Sequence, residues 1–242
     1  MSLLEVDRVS KRFGGVTALD AVSLRVNEGE IVGVMGANGA GKTTLFSLIA
    51  GHQRPDAGTV RLREAVISGL SPDRICRLGL TRTFQIVRPF ESLTVLESAT
   101  VAALYGAGRQ TGRKAAEAQA NDAIALAGLA DRLHQPGGTL TLSGQKRLEV
   151  ARALATGARV LLLDEVMAGL TPTEVEEMLS VVTRIRSERG ITVLIIEHVM
   201  KALMRLSDRV LVLHHGKPIA LGPPAAIAAD PQVLNVYYGG AA

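Results

Sequence analysis

The sequence predicts an α/β fold built on a mostly parallel sheet. Short apolar runs alternate with helical patterns along the chain, and this alternation is typical of parallel strands connected by helices. A long helical stretch interrupts the alternation in the middle of the chain, which predicts an inserted helical subdomain. Hydrophobic residues make up 47% and charged residues 21% of the 242 residues, a composition typical of a globular protein.

Each predicted element follows from its local pattern. The predicted strands are residues 4–9, 22–26, 31–34, 160–163, 191–196 and 209–213. A helix is expected at 42–50, and the mainly helical region runs from about 72 to 129 with an alanine-rich stretch at 113–129. Glycine and proline at 136–138 return the chain towards the sheet, and a similar group at 222–224 precedes a short C-terminal helix.

Composition excludes several classes of protein. The excess of 27 Lys+Arg over 23 Asp+Glu is small and dispersed, and the chain has 4 Phe, 3 Tyr and no Trp, so nucleic acid is not an expected partner. A single cysteine, Cys76, makes no internal disulfide and fits a reducing compartment. Because no signal peptide pattern and no run of about 18 apolar residues is present, we expect a soluble cytoplasmic protein.

A glycine-rich segment lies between the third predicted strand and the helix that follows it. Residues 36–43 read Gly-Ala-Asn-Gly-Ala-Gly-Lys-Thr, which matches the pattern G-x-x-x-x-G-K-[ST]. Glycines let successive backbone N–H groups turn towards phosphate oxygens, and the helix N-terminus adds partial positive charge. Lys42 adds a full charge near the β- and γ-phosphates, and the Thr43 hydroxyl is placed to bind Mg²⁺. The segment is therefore predicted to be a phosphate-binding loop.

Two acids, Asp164 and Glu165, end the apolar strand at 160–163. Ligands of parallel sheets bind beside the carboxyl ends of the strands. Asp164 is therefore expected to hold Mg²⁺, directly or through water, and Glu165 to polarise an attacking water. Two solvated acids at a strand end are a common alternative, but that alternative does not account for the phosphate loop in the same chain.

With these motifs the sequence resembles the ATP-binding cassette (ABC) family over essentially its whole length. Phe13 matches the aromatic residue that stacks on adenine in that family, with Val16 nearby; the alternative for Phe13 is a place in the core. Gln85 matches the glutamine that senses Mg²⁺ and water and hinges the helical subdomain. His198 matches the histidine that contacts the γ-phosphate, although an isolated histidine after a strand is more often an ordinary one.

The resemblance implies ATP and Mg²⁺ as ligands and an ATPase reaction. It places around ATP the residues Phe13, Val16, Gly36, Ala37, Asn38, Gly39, Ala40, Gly41, Lys42, Thr43 and Thr44. It assigns Mg²⁺ to Thr43, Gln85 and Asp164, and catalysis to Glu165, His198 and Gln85.

The family also implies the architecture. A P-loop NTPase of this family has a mostly parallel sheet, an N-terminal antiparallel β part and an inserted helical subdomain. One such domain is expected over residues 1–242, with the nucleotide-binding core at 1–84 and 141–242 and the helical subdomain at 85–140.

The family's signature segment, usually Leu-Ser-Gly-Gly-Gln, is irregular in this chain. An ungapped count back from Ala151-Arg152 places residues 140–144 in those five positions, whereas a match at 142–145 needs a two-residue deletion that a continuous helix resists. Ser143 then replaces a glycine, and its hydroxyl offers another donor. We expect a helix at 145–156 whose N-terminus faces a partner's ATP. The predicted signature residues are Thr141, Leu142, Ser143, Gly144 and Gln145.

Two further departures follow Glu165. Val166 stands where the family usually has proline, and Thr171 stands where it commonly has aspartate. Neither change removes a phosphate ligand. Thr171 is expected either to loosen communication between two nucleotide sites or to replace the aspartate in part through its hydroxyl.

The wording around Gln85 narrows the resemblance. Residues 82–90, 147–152 and 236–239 look like those of ATPases from branched-chain amino acid importers of the LivG type, a subgroup that also includes uptake systems for urea, amides and other small polar solutes. This implies membrane permease subunits, a second ATPase that is identical or a sister, an indirect extracytoplasmic solute-binding protein, and a place on the inner face of the cell membrane. Phe90, Leu93 and Val95 are candidates for the permease groove, with packing inside the subdomain as the alternative.

Three alternatives remain open at the level of sequence, and a fourth is disfavoured. One is the ATPase of a lipid or lipopolysaccharide exporter, which shares most motifs but not the wording of residues 82–90. Others are a soluble cassette protein that acts on nucleic acid or ribosomes and a regulatory module that binds nucleotide with weak hydrolysis. A small-molecule kinase is disfavoured because no acceptor-binding lid is apparent.

Overall fold

The computed structural model describes residues 2–84, 90–108 and 112–238 and is an α/β protein. Its strands are β1 (Ser2–Phe13), β2 (Val16–Asn27), β3 (Ile31–Met35), β4 (Ala57–Leu62), β5 (Ala65–Val66), β6 (Leu80–Arg82), β7 (Val160–Asp164), β8 (Thr192–Ile196), β9 (Arg209–His214) and β10 (Lys217–Gly222). Its helices are α1 (Lys42–Ile49), α2 (Pro72–Arg77), α3 (Val95–Tyr105), α4 (Arg113–Leu126), α5 (Leu142–Ala155), α6 (Pro172–Arg189), α7 (Met200–Leu206), α8 (Pro224–Ala229) and α9 (Pro231–Tyr238). None of the described helices combines the length and the hydropathy that a membrane span requires.

The chain forms two compact units. Unit 1 comprises Met1–Pro72 and Thr192–Ala242, and unit 2 comprises Asp73–Ile191. Helices α3 and α4 fall in the segment 85–140 for which a helical subdomain is expected. The exact division at 85 and 140 stays a prediction.

Unit 1 contains an antiparallel sheet and a mainly parallel group of strands. The antiparallel sheet has the order β2-β1-β4-β5, and β1 and β2 form a long hairpin in which Phe13 pairs with Val16. In the second group the order is β10-β9-β3-β8, with β3 parallel to both of its neighbours and β10 antiparallel to β9. Strands β3 and β8 are buried at every residue, as expected for strands covered on both faces.

Strands β1 and β2 extend well beyond the predicted 4–9 and 22–26. Most of their outer residues are polar or exposed, although Leu3 and Leu19 are buried, so the apolar pattern marks only part of the hairpin. Strands β4, β5, β6 and β10 were not predicted, because two of them are only two or three residues long and the other two carry glycine, proline or exposed polar residues. These are the features of short or edge strands.

Unit 2 is a helical layer with two parallel strands. Strand β6 pairs with β7, and Leu80 lies opposite Val160. Helix α4 buries Ala116, Ala120 and Ala123 on one face, and these small side chains allow its neighbours to approach closely. Helix α3 begins with a complete capping box in which Thr94 and Glu97 bond each other's backbone N–H, a motif that fixes a helix start.

Candidate functional site

The predicted phosphate loop of unit 1 closes around the ammonium of Lys42. Lys42 is 6% exposed, and its Nζ donates hydrogen bonds to the carbonyl oxygens of Gly36 at 2.6 Å and Ala37 at 3.1 Å. Helix α1 has Gly41 at its N-cap, where within the described chain no side chain bonds the first-turn N–H groups. A helix N-terminus without a side-chain cap, next to a lysine, is a binding site for a phosphate anion.

Two glycines of this loop are required by shape. Gly41 has φ +104, and a Cβ there would lie 2.6 Å from the Ala18 carbonyl oxygen. A Cβ at Gly36 would lie 2.5 Å from the Leu213 carbonyl oxygen. Both neighbours are backbone atoms, so neither is able to swing aside. The loop conformation therefore depends on glycine at these two positions.

Three other predicted residues of unit 1 lie on its surface. Phe13 and Val16 flank the hairpin turn between β1 and β2 and are 47% and 68% exposed. The alternative that Phe13 anchors the core is therefore wrong; its ring is exposed, with the Lys11 ammonium 5.6 Å from the ring centre. His198 is also exposed and follows β8 by two residues. Contacts of all three with a nucleotide stay predictions.

In unit 2, Asp164 ends strand β7 and is almost completely buried, at 1% exposed. Its Oδ2 accepts a hydrogen bond from Arg82 Nη2 at 2.6 Å, in an ion pair whose side chains are 8% and 2% exposed. Its backbone N–H donates to Thr83 Oγ1 at 3.1 Å. Arg82 and the adjacent Thr83, at the end of β6, thus fix both the carboxylate and the backbone of Asp164.

Glu165 has an unusual backbone conformation. Its φ is +52, in the left-handed region that costs a residue with a side chain about 1–2 kcal/mol. The Glu165 carbonyl oxygen accepts hydrogen bonds from Ala168 N at 3.2 Å and from Lys146 Nζ at 2.7 Å. Lys146 and Glu165 are both buried. The glutamate is therefore held at a sharp turn directly after β7.

The signature segment begins helix α5 earlier than predicted. The helix starts at Leu142 rather than at residue 145, because Thr141 caps it by accepting a hydrogen bond from the Gly144 N–H at 3.3 Å. Gln145 donates from Nε2 to the Leu140 carbonyl at 3.1 Å. A threonine is a good N-cap, and it stands where the ungapped count places the signature serine. The expected helix start at 145 is wrong, because the Thr141 cap begins the helix three residues earlier.

The first turn of α5 presents a different surface from the usual glycines. Leu142 is 47% exposed, whereas Ser143 is 5% exposed. The Ser143 side chain therefore lies largely within the protein in this structure. That its hydroxyl donates to a partner's phosphate stays a prediction.

The two departures after Glu165 have structural roles in unit 2. Val166 is 2% exposed and fills the core behind the turn. Thr171 is the N-cap of α6 and forms a capping box with Glu174. The Thr171 backbone N–H, followed by its hydroxyl, holds the pKa of the Glu174 carboxyl below its usual value. Thr171 thus replaces the capping ability of an aspartate.

The candidates for a permease groove separate in the structure. Val95 is fully buried at the start of α3, so for this residue the core alternative is correct. Phe90 is 45% exposed, and the Arg152 guanidinium lies 4.7 Å from its ring centre. Leu93 is half-buried. Gln85, a predicted Mg²⁺ and catalytic residue, lies outside the described residues.

Comparison with known proteins decides the family. A family profile described as ABC transporter matches residues 19–168. The chain is 40% identical to the high-affinity branched-chain amino acid transport ATP-binding protein BraF of Pseudomonas aeruginosa, with 98% of each chain covered. This chain belongs to the ABC transporter family. It is 38% identical to the corresponding LivG protein of Escherichia coli, again with 98% of each chain covered, so the predicted likeness to the LivG type is confirmed.

Solved structures of ABC proteins confirm the fold. A nucleotide-free ATP-binding cassette from an ABC transporter has a TM-score of 0.88 and 29% identity to this chain, covering 99% of it and 100% of the cassette. A cassette in its ADP conformation gives the same TM-score and coverage at 29% identity. The predicted P-loop NTPase fold of the ABC ATPases is therefore correct, and the chain is a nucleotide-binding cassette.

The residues of this ABC cassette fit a magnesium ion. Asp164 Oδ1 is buried and has no hydrogen-bond partner among the described residues, and a bare carboxylate oxygen is the ligand that Mg²⁺ prefers. The described chain holds no cluster of three or more His, Cys, Asp or Glu that suits a metal ion.

Two further residues of this site, Arg82 and Lys146, are not predicted by the sequence. Both are buried cations that contact the acid pair of unit 2. The sequence does show each as a basic residue within an otherwise apolar or helical segment, and a basic residue that is buried in such a segment needs a specific partner. The partner of each was not readable, because 82 and 19 residues separate it from the cation.

Proposed function

We propose that this chain hydrolyses ATP in an ABC importer for branched-chain amino acids or related small polar solutes. The observation that carries the hydrolytic part is the buried acid pair: Glu165 stands beside an aspartate whose Oδ1 has no hydrogen-bond partner among the described residues. The solute class rests on the names of the relatives, which are transport proteins for branched-chain amino acids. These names do not favour the exporter alternative.

The proposed chemistry divides among a few side chains. Lys42 and the N–H groups of the first turn of α1 hold the phosphates and stabilise the charge that develops in phosphoryl transfer. Glu165 accepts the proton of the attacking water. Asp164 and Thr43, with Gln85, are the proposed Mg²⁺ ligands; a bound ion would supply positive charge that neutralises the transferred phosphate. Gln85 and His198 sense the γ-phosphate, and Phe13 with Val16 supports the adenine.

Hydrolysis is proposed to need a second cassette. In a head-to-tail dimer the signature residues 141–145 would face the ATP held by the partner's phosphate loop. The N-terminus of α5 supports this, since an anion is stabilised at a helix start. The second cassette is an identical copy or a sister subunit, and each copy would contribute one half of two shared sites.

The proposed assembly sits on the cytoplasmic face of the cell membrane. Permease subunits would bind this chain directly, and an extracytoplasmic solute-binding protein would act through the permease. Nucleotide-driven closure of the two cassettes and hydrolytic opening would change the populations of the permease states. Phe90, which is exposed near the start of α3, is the candidate for permease contact.

Solute uptake tests the transport part of the proposal. In cells that express this chain with its permease and binding protein, uptake of radiolabelled leucine should depend on the chain. Replacement by Glu165→Gln should remove the uptake while the protein is still produced and bound to the membrane. Glutamate uptake serves as the specificity control. Leucine uptake that persists in the mutant at the wild-type rate would contradict the proposal.

A further inference from the structure

The turn that carries Glu165 depends on one carbonyl oxygen. The left-handed backbone of Glu165, with φ +52, is unfavourable for a residue with a side chain and persists only where neighbours hold it. The neighbours are visible: the Glu165 carbonyl accepts from Ala168 N at 3.2 Å, within the turn, and from Lys146 Nζ at 2.7 Å. The second contact is the shorter one, and it is charge-assisted.

Lys146 comes from the helix that carries the signature segment. It lies four residues after Leu142, the first residue of α5, and is 4% exposed. The start of α5 is fixed in turn by Thr141, which caps Gly144, and by Gln145, which bonds the Leu140 carbonyl. A buried lysine is unfavourable unless it is hydrogen-bonded, so its place against Glu165 is specific.

We propose that Lys146 is a positioning residue for Glu165 and connects the first turn of α5 to the backbone of that glutamate. This inference rests on the proposed function, in which Glu165 is the base. All of the residues involved belong to unit 2. Because α5 is a continuous helix, a displacement at residues 141–145 moves the Lys146 ammonium as well. A ligand that binds at the first turn of α5 would thereby change the backbone conformation of Glu165.

The coupling acts through a torsion. Loss of the Lys146 contact removes the shorter of these two hydrogen bonds to the Glu165 carbonyl, so the left-handed backbone is held less firmly and is able to shift towards a more favourable conformation. Rotation about φ and ψ of Glu165 also displaces its carboxylate, because the side chain is attached to the Cα atom between these two torsions. Displacement of a catalytic group by about 1 Å is able to cost about 100-fold in rate. Nucleotide affinity depends on other residues and should change little.

Steady-state ATP hydrolysis by three variants tests this role in the full chain. Lys146→Met removes the donor, and Lys146→Arg keeps a charged donor. Arg147→Met is the matched control, because Arg147 lies next in the same helix and pairs with Glu177 instead. We expect Lys146→Met to lower kcat by about 10- to 100-fold with KM and ATP affinity within about twofold, Lys146→Arg to restore most of kcat, and the control to keep the wild-type kcat. Thermal unfolding of each variant reports its folded fraction.

A double variant shows whether Lys146 acts through Glu165. In the Glu165→Gln background, Lys146→Met should lower the residual rate no further, because residues that act as a unit are not additive. A Lys146→Met enzyme with wild-type kcat, or an equal loss in both backgrounds, would overturn the inference. If Lys146→Met does not fold, Lys146→Gln and Lys146→Arg replace it as the test. The charged donor of Lys146→Arg should then give a higher kcat than the neutral donor of Lys146→Gln, at the same KM. Equal kcat values in these two variants would overturn the inference. A Glu165→Gln protein with the wild-type rate would instead refute the proposed function.

Discussion

The phosphate loop of unit 1 and the acid turn of unit 2 are held by different means. In the loop, backbone atoms exclude any residue other than glycine: the carbonyl oxygens of Ala18 and Leu213 leave no room for a side chain at Gly41 and Gly36. In the acid turn, side chains do this work, since Arg82 pairs with Asp164 and Lys146 bonds the Glu165 carbonyl. The phosphate loop thus depends on the absence of side chains, whereas the acid turn depends on long side chains.

This difference explains where the sequence departs from its family. A loop shaped by close backbone contact admits only glycine at its tight positions, and residues 36–43 match the motif throughout. Thr141 and Thr171 each cap a helix at a position where this chain departs from the family's usual residue. The irregular signature therefore has an ordered structure in this chain.

The largest effect on stability is expected from Arg82→Met. The substitution leaves the Asp164 carboxylate buried without its cation, and breaking a buried ion pair in this way costs about 3–5 kcal/mol. Urea unfolding should show this loss in the free energy of unfolding. Arg77→Met is the control, because the Arg77–Asp73 pair is exposed and such pairs contribute about 0–1 kcal/mol. Equal losses in the two variants would remove the claim that side chains hold the acid turn.

Gly41→Ala tests whether close backbone contacts shape the phosphate loop. An added methyl group at this position would lie 2.6 Å from the Ala18 carbonyl oxygen, and the alanine would have to adopt φ +104. The loop must therefore distort. Strain of this kind costs about 1–3 kcal/mol, and we expect binding of a fluorescent ATP analogue to be weakened by more than about tenfold. Gly190→Ala controls for backbone strain alone and should keep nucleotide affinity, because Gly190 has φ +62 and an added Cβ there meets no non-neighbouring atom of the described residues within 4 Å. Unchanged affinity in Gly41→Ala would show that the loop does not need its glycine.

A smaller effect is expected from Thr171→Ala. Loss of the cap of α6 should lower the free energy of unfolding by about 1 kcal/mol, as measured by thermal or urea unfolding. Thr171→Asp keeps an acceptor at the cap and should retain the stability. Thr173→Ala, at an exposed position in the same first turn, should change it by less than about 0.5 kcal/mol. A loss in Thr173→Ala as large as in Thr171→Ala would argue against the cap.

The sequence was sufficient for the fold class because apolar strands such as β3, β7 and β8 are buried at every residue. It was insufficient for contacts between distant side chains. Nothing in the local pattern around Arg82 shows that its partner is Asp164, since that contact exists only once β6 and β7 pair. The start of α5 differs from the prediction for another reason: Thr141 is both a signature residue and the helix N-cap, and the cap begins the helix at Leu142.

The predicted ligand contacts of Phe13, Val16 and His198 depend on a bound nucleotide. The exposure of all three side chains agrees with such contacts. By contrast, the interior position of Val95 rules it out as a surface for a partner. Burial is thus the property that separates these candidates, and the local sequence pattern reveals it only for regular elements.

The central claim is that Glu165 is the base of an ATPase, and the Mg²⁺-dependent ATP turnover of the purified chain tests it most directly. The rate per subunit should be measured against protein concentration, for wild type and for Glu165→Gln, with ATP binding measured in parallel. We predict a wild-type rate that rises with concentration, as expected for a dimer, and a mutant that binds ATP as tightly but scarcely hydrolyses it. A mutant with the wild-type turnover would contradict the account.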